Sequence, residues 1–492
     1  MSDLAWRILF KNAYIFTGER ECPVRGDLLV EGNVIARIAL RPDSIQVSEE
    51  SPPALQPAQV IDGSDLLLMP GFVDAHTHLL QTFGRGLMDG VPLTQWLRLI
   101  WDYDLSREGC YYSTLLGALE ALMSGTTCVS EMITECRYPD AVVQAIVDSG
   151  LRATIGTAIA DYMEGENTPI KATDAALAHA AEFAGKWHGA AGGRIRASIA
   201  PVGLPACTRD LMKGARELAA GRGLSLHTHA CEGRAETESA LTRFGKSEIA
   251  MLKECGVLTS RTEIVHVIWV SDDDIEIIAE SGAAAVQCPS SNVRLLDGVT
   301  SVTAMRGKGI PVSLGGDGAA SSGAYDLLVE GRIAALLQRL TTADAAPLGP
   351  AEVLAMLTCD GARAAGWAHS GDSRATAAGE GRTGSGGLTG PGVGQLVPGA
   401  AADILGFDLS SPRLAAADPQ ALLSNLVFAG SARDLRFVMI DGRLVVQDGI
   451  HLTVDTHAAV EKAKEVMREE SIPLSGAWRQ VVLPAEVDGA GE

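Results

Sequence analysis

Apolar and polar positions alternate at both ends of the chain. Leu9-Phe10-Lys11-Asn12-Ala13-Tyr14-Ile15-Phe16 and the run Asp27–Ile38 read as short strands, the second broken by a turn at Glu31-Gly32-Asn33. The distal segments Ala402–Phe407 and Arg436–Val446 repeat the strand-turn-strand pattern. These two ends predict one small β-sandwich domain contributed by residues 1–66 and 394–450, followed by a helix and tail over 451–492.

The middle of the chain changes period. Short apolar runs at 67–75, 127–132, 153–159, 196–202, 224–229, 263–268, 283–288 and 311–316 alternate with Ala/Leu/Glu-rich helical stretches such as 113–123 and 209–221. Eight strand-then-helix units over 67–368 predict an α/β fold, a (β/α)8 TIM-type barrel. A doubly wound open sheet would place Gly-x-Gly-x-x-Gly after its first strand, and none follows here. Residues 369–393 are Gly/Ser/Thr-rich without apolar periodicity and read as an exposed, flexible insertion. The acidic tail beyond Pro484 is expected to fray.

Composition narrows the partners. The chain is 47% apolar and 21% charged, ordinary for a soluble globular protein. Its formal charge of -21 argues against nucleic acid or anionic membrane as a partner. No apolar run approaches the ~18 residues of a membrane span. The first ten residues lack the basic segment and small-residue cleavage site of a signal peptide. Nine cysteines without a Cys-x-x-Cys pair suit a reducing compartment, so a cytoplasmic protein is expected.

Four segments carry the chemistry. His76 and His78 end the first barrel run, and two residues apart on a strand they leave the same face. His229 ends the fifth run, His266 lies on the sixth, and Asp317 follows the eighth within Leu-Gly-Gly-Asp-Gly. Singly, each has a plain structural explanation: a chance His-x-His, a core histidine, a turn-forming aspartate. Together they occupy the strand ends where barrels gather functional groups. Imidazoles plus a carboxylate suit zinc or another borderline divalent ion, and a site that leaves room for water is hydrolytic.

These segments resemble the amidohydrolase superfamily, in its branch of mononuclear-metal aminohydrolases and chlorohydrolases. That branch includes deaminases acting on S-adenosylhomocysteine or methylthioadenosine and the s-triazine hydrolases. Pro70-Gly-Phe-Val-Asp-Ala-His-Thr-His78, His229-Ala-Cys-Glu232, His266-Val-Ile-Trp269, Cys288-Pro-Ser-Ser-Asn292, Gly316-Asp317-Gly-Ala-Ala-Ser-Ser322 and Val397–Asp403 carry the resemblance, which spans nearly the whole chain outside 369–393. It implies that His76, His78, His229 and Asp317 hold one divalent ion, zinc first, with Fe2+, Co2+ or Mn2+ as alternatives. Asp317 would also take a proton from water, Glu232 would protonate a ring nitrogen and the leaving group, and His266 would orient the water. For His227 packing is the expected role. Gln95, Trp96, Val202, Cys231 and Trp269 are the expected substrate contacts, and a homodimer or higher homo-oligomer is implied.

Two positions depart from the adenosine-type deaminases. Their acidic residue before the Trp in the first loop is Gln95 here, and their His-Ala-Pro-Tyr stretch is replaced by Ala200-Pro201-Val202-Gly203-Leu204-Pro205. The expectation is therefore a hydrolase that deaminates a small N-heterocycle other than an adenosine-type nucleoside. A chlorohydrolase or an amide, carbamate or thiocarbamate hydrolase is the alternative within enzymes, and a non-catalytic scaffold the alternative outside them.

Overall fold

The computed structural model describes residues 6–470 except 19–21, 46–58, 102–103, 135, 164–167, 370–389 and 417. Most of the expected insertion at 369–393 and the tail beyond Pro484 lie outside the described residues.

The N-terminal segments form β1 (Arg7–Ile15), β2 (Val24–Glu31), β3 (Val34–Leu40), β4 (Gln59–Asp62) and β5 (Leu66–Pro70). Eight parallel strands follow: β6 (Phe72–Thr77), β7 (Thr126–Ile133), β8 (Arg152–Ile159), β9 (Ile195–Pro201), β10 (Ser225–Ala230), β11 (Thr262–His266), β12 (Ala284–Gln287) and β13 (Val312–Leu314). The chain then returns through β14 (Ile404–Asp408), β15 (Leu435–Ile440), β16 (Arg443–Gln447) and β17 (Ile450–His451), and a helix over Thr456–Glu469.

Strands β6 to β13 pair in chain order, and the intervening helices bury their apolar faces against them. This is the (β/α)8 barrel. Its last seam is closed beyond β13: Thr77 bridges Asp317, the Asp317 N–H donates to the His76 carbonyl at 2.9 Å, and the His78 N–H donates to the Asp317 carbonyl at 3.2 Å. A Cβ on Gly315 would lie 2.8 Å from the His76 Cβ, so glycine is what permits this approach.

Strands from both termini form one separate nine-stranded sheet. Its hydrogen-bonded ladder is continuous where a sandwich would have two sheets, because β5 and β14 pair across the junction of the two terminal segments. The sheet still makes two layers. Phe10 of β1 stacks on Phe437 of β15 at 5.4 Å between ring centres although β5 and β14 lie between these strands. The apolar run read as a single strand at 67–75 is two strands, one in each sheet. The hand-over falls at Gly71, where a Cβ would meet the Thr127 Oγ1 at 2.0 Å. The two bodies are tied by a buried ion cluster in which Arg152, the first residue of β8, donates to Asp403 at 2.9 and 3.1 Å and to Asp441 at 2.5 Å. No helix among the described residues is long and apolar enough to cross a membrane.

Candidate metal centre

Parallel strands deliver their C-terminal ends to one rim. His76 is the fifth residue of β6 and His78 follows its end; β10 carries His227 and His229, β11 ends at His266, and Asp317 lies just beyond β13. His76, His78 and Asp317 place one ligand-type atom each within 4.8 Å of one another, as do His76, His229 and His266. Asp317 Oδ1 is 3.5 Å from Nε2 of both His76 and His78, and the Nε2 atoms of His76 and His229 are 3.3 Å apart.

Hydrogen bonds decide which ring nitrogens face inward. His78 Nδ1 donates to the Met132 carbonyl at 2.6 Å, and His229 Nδ1 donates to the Val202 carbonyl at 2.7 Å. A carbonyl can only accept, so the proton of each neutral ring sits on Nδ1 and Nε2 presents a lone pair to the site. Burial pushes His76 well below its usual range and His229 down to about 3, which keeps both rings neutral. Burial alone would raise the Asp317 carboxyl, but the histidines around it, His76 first, hold it well below the usual carboxylate range. Its Oδ2 accepts from Ser291 Oγ at 2.5 Å and Ser321 Oγ at 3.0 Å, which leaves Oδ1 turned toward the histidines. Lone pairs from three nitrogens and a carboxylate oxygen thus converge without a proton between them. That donor set fits a divalent cation of the zinc type.

Glu232 and His266 stand beside it. Glu232 Oε1 is 3.4 Å from His266 Nε2, and its side chain is 12% exposed. Burial, reinforced by Glu236, Asp297 and Asp317, pushes the Glu232 carboxyl well above its usual range. This environment favours the protonated form of the carboxyl. Burial also lowers His266, whose Nδ1 is 2.9 Å from Asn292 Oδ1. The backbone is left-handed at His266 (φ 72°) and at the β-branched Val267 (φ 47°). Such strain persists only where surroundings impose it, and it collects at functional sites.

The expected substrate contacts are placed unevenly. Trp96 is buried, and its indole Nε1 has no hydrogen-bond partner among the described residues. Gln95 beside it is exposed. Trp269 is 38% exposed and its Nε1 donates to the Asp297 carbonyl at 2.7 Å. Val202 is half-buried, and its carbonyl orients His229. Cys231 is wholly buried in the main core, with its carbonyl accepting from Ile268 and Trp269. The expectation for His227 is corrected: instead of packing alone, its Nε2 lies 2.8 Å from His76 Nδ1. Ser291, Ser321 and Asn292 were not singled out beforehand. They lie within the quoted Cys-Pro-Ser-Ser-Asn and Gly-Asp-Gly-Ala-Ala-Ser-Ser motifs, but only contact with Asp317 and His266 gives them a role.

The Amidohydrolase family model matches residues 67–372. A 5-methylthioadenosine/S-adenosylhomocysteine deaminase of Moorella thermoacetica is 32% identical over 436 residues, covering 88% of this chain and 94% of the relative. A 5'-deoxyadenosine deaminase of Methanosarcina mazei is 30% identical, covering 94% and 98%. Among solved structures, a zinc-bound adenosine deaminase from Xanthomonas campestris superposes with a TM-score of 0.80 at 26% identity, covering 94% of this chain and 99% of that one. The zinc complex of an atrazine chlorohydrolase from Arthrobacter aurescens gives 0.79 at 21% identity, covering 94% and 100%, a likeness of fold.

Proposed function

The chain belongs to the amidohydrolase family and is a hydrolase acting on C–N bonds, and on that premise we propose that it releases ammonia from an amino-substituted N-heterocycle of the 6-aminopurine kind. The observation that carries the proposal is the placement of Glu232, its carboxyl raised by burial, 3.4 Å from His266 Nε2 at the edge of the three-histidine, one-aspartate set.

In this proposal His76, His78, His229 and Asp317 hold one divalent ion, zinc first, since the similar adenosine deaminase has bound zinc. The ion supplies Lewis acidity, which makes water nucleophilic near neutral pH. Asp317, ionised and fixed through Oδ2 by two serines, accepts a proton from the attacking water on Oδ1. Glu232 donates its proton to the ring nitrogen next to the amino-bearing carbon, takes the second proton of the added water and gives it to the departing amine, and is reprotonated by the proton held on Asp317. His266, held by Asn292, keeps the Glu232 carboxyl and the attacking water in position. Trp96, with an unpaired buried indole N–H, and Trp269 at the rim supply apolar faces for a planar ring.

The sequence expectation excluded adenosine-type nucleosides because Gln95 stands where a carboxylate is usual and Ala200–Pro205 lacks the usual histidine. The curated relatives named above are deaminases of such compounds, and they do not support that exclusion. A carboxamide both donates and accepts, so Gln95 retains the capacity to pair with hydroxyls. Nine scattered cysteines without a Cys-x-x-Cys pair support a cytoplasmic setting.

Zinc-loaded protein assayed for ammonia release with 5'-methylthioadenosine, S-adenosylhomocysteine and 5'-deoxyadenosine, with mass spectrometry of the products, tests the proposal. A gain of about one mass unit, amine to hydroxyl, is expected. Turnover confined to halide or thioether displacement from triazines would refute it.

A further inference from the structure

Beneath the metal centre a chain of buried polar groups crosses the barrel from four strands. His76 Nδ1 on β6 lies 2.8 Å from His227 Nε2 on β10. His227 Nδ1 is 3.4 Å from Ser130 Oγ on β7, and Ser130 Oγ donates to Glu263 Oε2 on β11 at 2.8 Å. The same carboxylate oxygen is 3.8 Å from His227 Nδ1. His76, Ser130, His227 and Glu263 are all fully buried, at 0% exposure, so no bulk water substitutes for a missing partner.

The chain has one consistent direction. His76 Nε2 faces Asp317 and His229 and serves as a ligand only with its lone pair free. The ring proton then sits on Nδ1 and is donated to His227 Nε2. That forces the His227 proton onto Nδ1, toward Ser130, whose hydroxyl passes its own proton to Glu263. The opposite arrangement, with His227 donating from Nε2, would move the His76 proton to Nε2 and block the ligand position.

We propose that His227, Ser130 and Glu263 form a positioning relay that locks His76 in its ligand-competent tautomer and so sets the affinity of the centre for its divalent ion. This goes beyond the deaminase assignment and rests only on its metal-binding part. A metal-bound imidazole whose other nitrogen is tied to a carboxylate is a better-oriented and more basic ligand, and loss of such a partner typically costs about 10- to 100-fold in metal affinity or activity.

The test is zinc affinity of metal-free full-length protein, read by competition with a chromophoric chelator, alongside thermal unfolding of the same metal-free samples. His227→Leu is expected to weaken zinc binding about 10- to 100-fold. His227→Gln, whose amide oxygen accepts in place of Nε2, is expected to recover most of that loss. Glu263→Gln and Ser130→Ala are expected to weaken binding several-fold and carry the test if His227→Leu does not fold. Wild-type affinity in His227→Leu, or in both relay-end variants, overturns the relay, as does a Gln variant no better than a folded Leu one. Failure of the wild-type protein to bind zinc refutes the metal centre instead, so the two failures are distinguishable.

Discussion

The Ser291 hydroxyl lies 2.5 Å from Asp317 Oδ2, opposite the oxygen that faces His76 and His78 at 3.5 Å. One oxygen of the carboxylate is thereby anchored and the other is left for chemistry. Removing the anchor in Ser291→Ala should lower kcat/KM about 10- to 100-fold with little loss of fold, because Ser321 still holds the group at 3.0 Å. The double variant with Ser321→Ala should lose more than either single change. Steady-state kinetics with thermal unfolding as a fold check decide this, and an unaltered kcat/KM in the double variant would dismiss the anchoring role.

Metal removal gives the second expected outcome. With neutral imidazoles and an ionised Asp317 converging, the empty site has no cation to balance the carboxylate. Dialysis against a chelator should abolish turnover and lower the thermal midpoint, and one equivalent of zinc should restore both. Full activity in protein shown by elemental analysis to be metal-free would contradict the assigned centre.

Glu232 is the third. Glu232→Gln keeps the shape, loses the exchangeable proton, and should retain zinc while losing about 10²–10⁴ in kcat. The pH profile carries a matching sign. Burial raises the Glu232 carboxyl, and in the proposed acid role the protonated form is the active one. kcat/KM should therefore hold at lower pH with respect to this group and fall as pH rises through its elevated pKa. Near-wild-type turnover in Glu232→Gln would remove it from the acid role.

The fourth concerns the junction of the two bodies. Arg152 is 3% exposed and bound by Asp403, itself 2% exposed, and by Asp441. Asp403→Ala leaves a buried guanidinium with one carboxylate, which should cost about 3 kcal/mol of stability by chemical denaturation. Arg152 begins β8, at the end of the barrel away from the centre, so kcat of the folded fraction should stay unchanged. A drop in kcat without a drop in stability would show coupling between the junction and the site.

The barrel and the metal-type residues were legible because each leaves a local mark. Short apolar runs separated by helical stretches repeat eight times, and His76, His78, His229 and Asp317 each fall at the end of such a run. The division at Gly71 was not legible. Residues 67–73 are apolar or glycine or proline without a break and the strands on both sides are buried, so nothing in the pattern marks the change of partner. Gln95 and Cys231 were singled out from motif position, yet one is exposed and the other packs into the core, and position along a motif does not say which way a side chain points.

His227 and His229 show where the boundary lies. Both are on one face of β10, two residues apart, and by sequence they are equivalent imidazoles. Strand periodicity determined that both point into the barrel, and the motifs determined the family and a metal-dependent hydrolytic chemistry. Only the closed barrel decided that His229 Nε2 meets His76 Nε2 at 3.3 Å while His227 Nε2 meets the other nitrogen of the same ring. That distinction depends on the distance between β6 and β10 across the barrel, which closure of all eight strands sets and which no stretch of neighbouring residues encodes.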